Sequence, residues 1–140
     1  MAIRVVRLGT PREADEGVRI GTVRRPPRGV RKEDYGQRNF FDVWLPELAP
    51  SAPLVTYALS EPWTLGRWAA YEKRYRGEMS KPAAQRLILM LAALSQQTNF
   101  SVGCYCENPH FCHRAILKDL LADAGAAIAP ETGSSVEKKR

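Results

Sequence analysis

The sequence predicts a small single-domain α/β sandwich, a mostly parallel sheet flanked by helices. Three observations point there. Two short apolar stretches with strand character open the chain, a helix–strand–helix succession fills its second half, and the helical patterns between strands supply the crossovers that parallel neighbours need. The 140 residues, 44% hydrophobic and 26% charged, suit one soluble globular domain over 1–128. Residues 129–140, which include PETGSSVEKKR, have nothing to bury and read as a disordered tail.

Ile3–Leu8 alternates apolar and basic side chains, as a half-exposed strand does. Thr10–Gly17 is polar and turn-like. A second strand takes in Val18, Ile20 and Val23, and it must end before Pro26-Pro27 because proline donates no ladder hydrogen bond. RGVRKEDYGQRN is then a charged loop. FFDVWLPEL (40–48) is apolar enough to reach the core, with Pro46 breaking any regular element. Leu54–Leu59 fits a short strand or a helical turn equally well.

A helix is expected after Ser60-Glu61-Pro62, with the proline in its first turn and Trp68, Tyr71 and Tyr75 on one face. That face reads as core, with Tyr71 or Tyr75 the residue nearest to lining a pocket. Gly77 or Ser80 closes it, and Ser80 is also the expected N-cap of the next helix. LILMLAAL (87–94) is apolar nearly all round, which predicts burial. Phe100–Cys106 reads as a buried strand. A last helix carries Leu117, Leu120, Leu121 and Ala124 on its buried stripe, and Gly125 stops it.

The net charge of +6 is unevenly placed: residues 1–38 hold ten Lys/Arg against five Asp/Glu, and the remainder holds eleven against ten. Such an excess suits an anionic partner, either a phosphorylated small molecule or nucleic acid. No apolar run is long enough to cross a bilayer, so no membrane partner is expected, and MAIRVVRL lacks the apolar core of a secretory signal. Three cysteines cannot all pair, so they are expected as reduced thiols in the cytoplasm.

All three cysteines and both histidines fall within CYCENPHFCHRAIL (104–117). A strand–loop–helix of this kind is where open α/β sheets bind ligands. Asn108 is expected to cap the helix with Pro109 as its first residue, which would turn backbone N–H groups towards an anion. His110 and Arg114, four apart, would share a face, and Arg114 offers a fork suited to carboxylate or phosphate. Cys106 at the strand end and Cys112 in the first helical turn are the candidate nucleophiles, with His110 or His113 as base. A phosphatase loop is excluded by spacing: the five-residue interval after Cys106 ends at Cys112, and Arg114 comes two residues late. Equally, buried cysteines act as small apolar residues, and His113, stacked over Leu117 and Leu120, fits a core histidine bonded to backbone.

Cys104, Cys106, Cys112 and His113 are also metal-ligand types. On a regular strand, however, Cys104 and Cys106 would stand about 6–7 Å apart. No metal and no cofactor are therefore expected.

A second patch, GTVRRPPRGVRK (21–32), clusters Arg24, Arg25, Arg28, Arg31 and Lys32 where a strand becomes a proline-stiffened loop. Arg31 and Lys32 read as plain surface. In a parallel sheet this loop shares a rim with Cys106, so Arg24, Arg28, Arg114 and Asn108 are the expected anion-binding residues. The loop lacks the interleaved aromatics of a base-stacking surface, which favours a small molecule over nucleic acid. A metal-stabilised or redox-sensing module is a further alternative. Neither an enzymatic activity nor the oligomeric state follows from the sequence.

Three stretches together resemble the YeaO-like family, within a larger bacterial family of domains of unknown function. They are EGVRIGTVRRPPRGVRKED, WLPELAPS with the later RWAAYEKRYRGEM, and CYCENPHFCHRAIL, in order over roughly residues 3–125. Arg24 and Pro27-Arg28-Gly29 match the family's first stretch, while Val23 and Pro26 stand at its acidic and tryptophan positions. The Cys-His-Arg of the third stretch is closer to the broader parent family. The resemblance implies a compact α/β domain and assigns no reaction.

Overall fold

A computed structural model describes residues 1–130. The strands are β1 (Ile3–Arg7), β2 (Val18–Gly21), β3 (Val43–Trp44) and β4 (Phe100–Cys104), and the helices are α1 (Ala52–Ser60), α2 (Leu65–Met79), α3 (Pro82–Leu94) and α4 (His113–Asp123). The sheet order is β1-β4-β2-β3, and every neighbouring pair is parallel. Parallel return demands a crossover each time, and the three helices between β3 and β4 supply the longest one. β4 arrives last and takes the centre, all five of its residues buried. The expectation of a mostly parallel α/β sheet therefore holds.

Register decides where the chemistry lies. Gly21 of β2 pairs with Gly103 of β4, and Arg7 of β1 pairs with Cys104, so the carboxyl ends of three strands share one rim. Both glycines are required by close approach: a Cβ on Gly103 would lie 2.6 Å from the Val6 carbonyl oxygen, and one on Gly21 would lie 2.3 Å from the Phe41 ring. Gly103→Ala is accordingly expected to cost about 1–3 kcal/mol, because the obstruction is backbone and cannot rotate away; the shift in urea midpoint measures it.

The main core is formed by Ile3, Ile20, Phe100 and Val102 of the sheet with Leu48, Leu54, Tyr71, Tyr75, Ile88, Leu91, Leu117 and Leu121. Tyr75 satisfies its buried hydroxyl by donating to the Leu48 carbonyl at 2.7 Å. Leu54–Leu59 resolves as helix, because Ser51 caps α1 by accepting from the Leu54 N–H and is itself fixed by the Glu78 carboxylate.

Several expected boundaries move. Pro62 lies outside α2, whose cap is Thr64 accepting from Arg67 N–H at 3.1 Å. Ser80 ends α2 rather than starting α3: its hydroxyl donates to the Gly77 carbonyl, and Pro82 opens α3 behind Lys81. α3 is not buried all round. It presses Ala84, Ile88, Leu91 and Ala92 inward and leaves Leu89, Met90 and Leu94 exposed, since a helix covering one side of the molecule buries only one stripe. β4 stops at Cys104, and Cys106 is exposed.

No described helix is long and apolar enough to cross a membrane. Ala129 N–H still donates to the Ile3 carbonyl at 2.8 Å, and the tail expected beyond it lies, from residue 131, outside the described residues.

Candidate functional site

Past the end of β2 the chain crosses the rim beside β4. Thr22 anchors it there, giving both its N–H and its hydroxyl to the Gly103 carbonyl at 3.0 and 3.1 Å. The Arg24–Arg28 loop is then held at three points. Trp44 Nε1 donates to the Val23 carbonyl at 2.8 Å, and the Tyr105 hydroxyl donates to the Arg25 carbonyl at 3.0 Å. Arg24 spreads its guanidinium over the carbonyls of Pro46, Ala49 and Pro50 at 3.0–3.3 Å. Sequence reading placed Arg24 as an anion ligand; these bonds make it the brace between the loop and the entry to α1.

Between this loop, α1 and the end of β4 lies a cleft of about 660 Å³. Its walls are mainly apolar, from Val23, Pro26, Phe40 and Val55 among others, with Arg24, Arg25 and Arg28 on the loop side. Cys104, Cys106, Tyr71 and His113 also line it. Arg25 and Arg28 are exposed. Burial, with Cys106 and Glu78 nearby, holds the Tyr71 phenol well above its ordinary pKa, so it stays a neutral donor. Every buried side-chain N and O among the described residues has a partner, and no hydrogen bond occupies the Tyr71 hydroxyl, so that oxygen opens to the cleft.

His113 is buried, and its Nε2 lies 2.6 Å from the Thr22 carbonyl. A carbonyl only accepts, so Nε2 carries the proton and Nδ1 keeps its lone pair, 3.9 Å from Cys112 Sγ. Burial pushes the imidazole pKa down to about 4, the Thr22 bond opposing and Arg114 adding to it. The ring is neutral at physiological pH, in the position of a backbone-bonded core histidine.

Arg28 and Arg114 do not share a cavity. Asn108 does accept from the His110 N–H at 2.9 Å, but it caps a single 3-10 turn over Pro109–Phe111, whose Phe111 stacks on Trp63. Cys112 is then extended, with φ −146° and ψ 144°, and α4 starts only at His113. His110 and Arg114 are consequently not neighbours on one helix. Arg114, buried, donates to the Val6 carbonyl at 2.9 Å at the end of β1. With His110, Arg4, Arg7 and Lys118 it lines a second cavity of about 780 Å³ beside β1. Asn108 lines neither cavity.

The three cysteines come together more closely than strand geometry predicts. The chain bends at Tyr105, and the sulfurs of Cys104, Cys106 and Cys112 all lie within 4.8 Å of one another. Cys104 and Cys112 are buried and their sulfurs are in contact, yet their Cα atoms are 7.9 Å apart. That is beyond the roughly 4.4–6.8 Å a disulfide spans. Desolvation by the surrounding protein pushes the Cys106 thiol up, with Arg114, its own backbone N–H and Arg7 opposing.

The sequence pattern of the family DUF488-N3a, described as the active DUF488-N3 subclade, matches residues 3–125. The chain belongs to the DUF488 family. YeaO is a DUF488 member, so the resemblance read from the three sequence stretches stands. The match includes every residue of the cleft and of the sulfur cluster, and its own description names no ligand. No curated protein and no solved structure matches this DUF488 chain. Arg25, part of the basic cluster read from the sequence but not among its expected anion ligands, belongs to the site, as does Tyr105, which the sequence reading passes over. Only the position of Tyr105 between two cysteines could have drawn attention to it.

Proposed function

We propose that this DUF488 chain binds a small molecule carrying a phosphate or carboxylate on an apolar body, held in the cleft between the Arg24–Arg28 loop and the end of β4. The observation that carries this reading is the composition of the cleft: apolar walls with two exposed guanidinium groups and one unoccupied phenol. Arg25 and Arg28 meet the anionic group, the Tyr71 hydroxyl donates to it, and the walls take the apolar part. Any chemistry on the ligand falls to the sulfur cluster, where Cys106 alone is exposed.

Charge bookkeeping favours this occupant over nucleic acid. Arg4, Arg7, Arg12, Arg19 and Arg31, half of the ten basic side chains of residues 1–38, each face a carboxylate within the protein. Each such pair leaves one fewer cation for an extended phosphate backbone.

Phenyl phosphate is the test probe, followed by calorimetric titration at constant salt. The native chain is expected to bind it, and Arg28→Ala to weaken binding about tenfold, since a hydrogen bond to a charged group contributes about 1.5–3 kcal/mol. The variant's thermal midpoint should stay at the native value because Arg28 is exposed. Undiminished binding by Arg28→Ala, or salt-dependent binding to short RNA in place of phenyl phosphate, would defeat the reading.

A further inference from the structure

We propose that Cys104, Cys106 and Cys112 form a site for a thiophilic metal ion, zinc foremost, with its fourth position open to the cleft. The three sulfurs come from separate local structures: the last residue of β4, the segment after the Tyr105 bend, and the residue preceding α4. They nevertheless lie within 4.8 Å of one another. Three tetrahedral Zn–S bonds of about 2.3 Å would set the sulfurs about 3.8 Å apart. An ion between Cys104 and Cys112 also lengthens the bridge that a 7.9 Å Cα separation has to span.

Cys112 stands at the positive end of the eleven-residue α4 and makes no capping hydrogen bond with its side chain; its sulfur turns instead to Cys104 and to His113 Nδ1. Arg7, whose Nε donates to the Tyr105 carbonyl at 3.2 Å, brings positive charge beside the Cys106 segment. His113 holds its Nε2–H on the Thr22 carbonyl, as metal-site histidines commonly do, but its Nδ1 reaches Cys112 and stays outside the group of mutually close ligand atoms. Three protein ligands with one vacancy is the pattern of a zinc site that accepts water or substrate. Cys106, exposed and lining the cleft, puts that vacancy beside the proposed ligand. The metal site stands independently of the ligand reading; only the openness of its fourth position rests on it.

Cobalt(II) added to the full-length, reduced, chelator-treated protein reads the site directly. The expected result is saturation at about one ion per chain, a thiolate-to-cobalt charge-transfer band, and visible bands of tetrahedral intensity, all displaced by zinc. Cys106→Ser changes an exposed position and so preserves the fold; it should weaken cobalt binding by more than the roughly 10–100-fold typical of losing an outer-shell partner. Absence of the charge-transfer band in the native chain overturns the site, as does a Cys106→Ser variant that binds cobalt like the native. Phenyl phosphate should then shift the visible bands of the cobalt protein. Bands that it leaves unmoved, while calorimetry shows it bound, overturn the open fourth position and spare the ligand reading; no calorimetric binding overturns the ligand reading and spares the metal.

Discussion

Glu16→Ala is expected to destabilise the protein by about 3–5 kcal/mol, the range for breaking a buried ion pair by removing one partner. Arg19 and Glu16 are 0% and 1% exposed, and they meet through two bonds, Nε to Oε2 at 2.7 Å and Nη2 to Oε1 at 3.0 Å. Ser101 of the central strand donates its hydroxyl to the same carboxylate. Arg19 Nη1 then reaches the carbonyls of Thr10 and Asn39 at 2.8 and 2.7 Å. Removal of Glu16 leaves a buried guanidinium bonded to two carbonyls and to no carboxylate. Replacing both partners, as Glu16→Leu with Arg19→Met, should cost less than Glu16→Ala alone, because no charge is then stranded. Urea midpoints of the single and double variants decide it, and a double variant less stable than either single one would refute the account.

The same carboxylate gives stability a pH dependence. Burial alone would raise the Glu16 pKa, but hydrogen bonds from Arg19 and Ser101, the Glu13 N–H and the Arg19 charge together outweigh it and hold the group below 4.5. A depressed folded pKa means that the native state keeps its proton off where the unfolded chain takes one up. The contribution is therefore full above the ordinary value of 4.5 and is lost as pH falls through the lower folded value. Asp42 acts in the same sense below 3.8: burial raises it, and bonds from Arg12 and from the Arg19 N–H bring it down further. Acid unfolding should be shallower in Glu16→Ala than in the native protein below pH 4.5.

This pair shows what the sequence conceals. Glu16 lies in a polar stretch that reads as a turn and Arg19 in the strand after it, and nothing local signals that Ser101, 85 residues away, brings β4 against the pair. Parallel packing was legible, since helices between strands leave few other arrangements. The meeting of the Arg24–Arg28 loop with Cys104–Cys106 followed from it, because adjacent parallel strands end on one rim.

The direction of Arg114 was not legible. Asn108-Pro109 is a genuine start signal, but a 3-10 turn uses it, and the extended Cys112 resets the helix four residues later. Arg114 then falls beneath β1 instead of facing Arg28. The sulfur cluster was hidden for a similar reason: a regular strand keeps Cys104 and Cys106 apart, and the bend at Tyr105 appears only once its hydroxyl is seen tied to Arg25.

Arg24→Met should lower both stability and ligand affinity, and that pairing separates it from Arg28→Ala. The native guanidinium donates to Pro50 through Nε and to Pro46 and Ala49 through Nη2. Each acceptor lies in the segment leading into α1, and Pro50, Ala52 and Val55 from that region form one wall of the cleft. Methionine keeps the apolar stem and removes all three donors. A loss of about 2–3 kcal/mol is expected, the scale of one well-made charged hydrogen bond, because water can reach part of the half-buried segment and replace the rest. Phenyl phosphate binding should fall with it, as the wall is no longer held against the loop. Arg24→Lys should restore little, since an ammonium is a compact charge and cannot fork across three carbonyls. Chemical denaturation and calorimetry of the same three variants give the comparison: Arg28→Ala changes affinity alone, Arg24→Met changes both, and Arg24→Lys stays near Arg24→Met. Native stability in Arg24→Met would show that the three carbonyls are held by other means, and the cleft would then owe its shape to Trp44 and Tyr105.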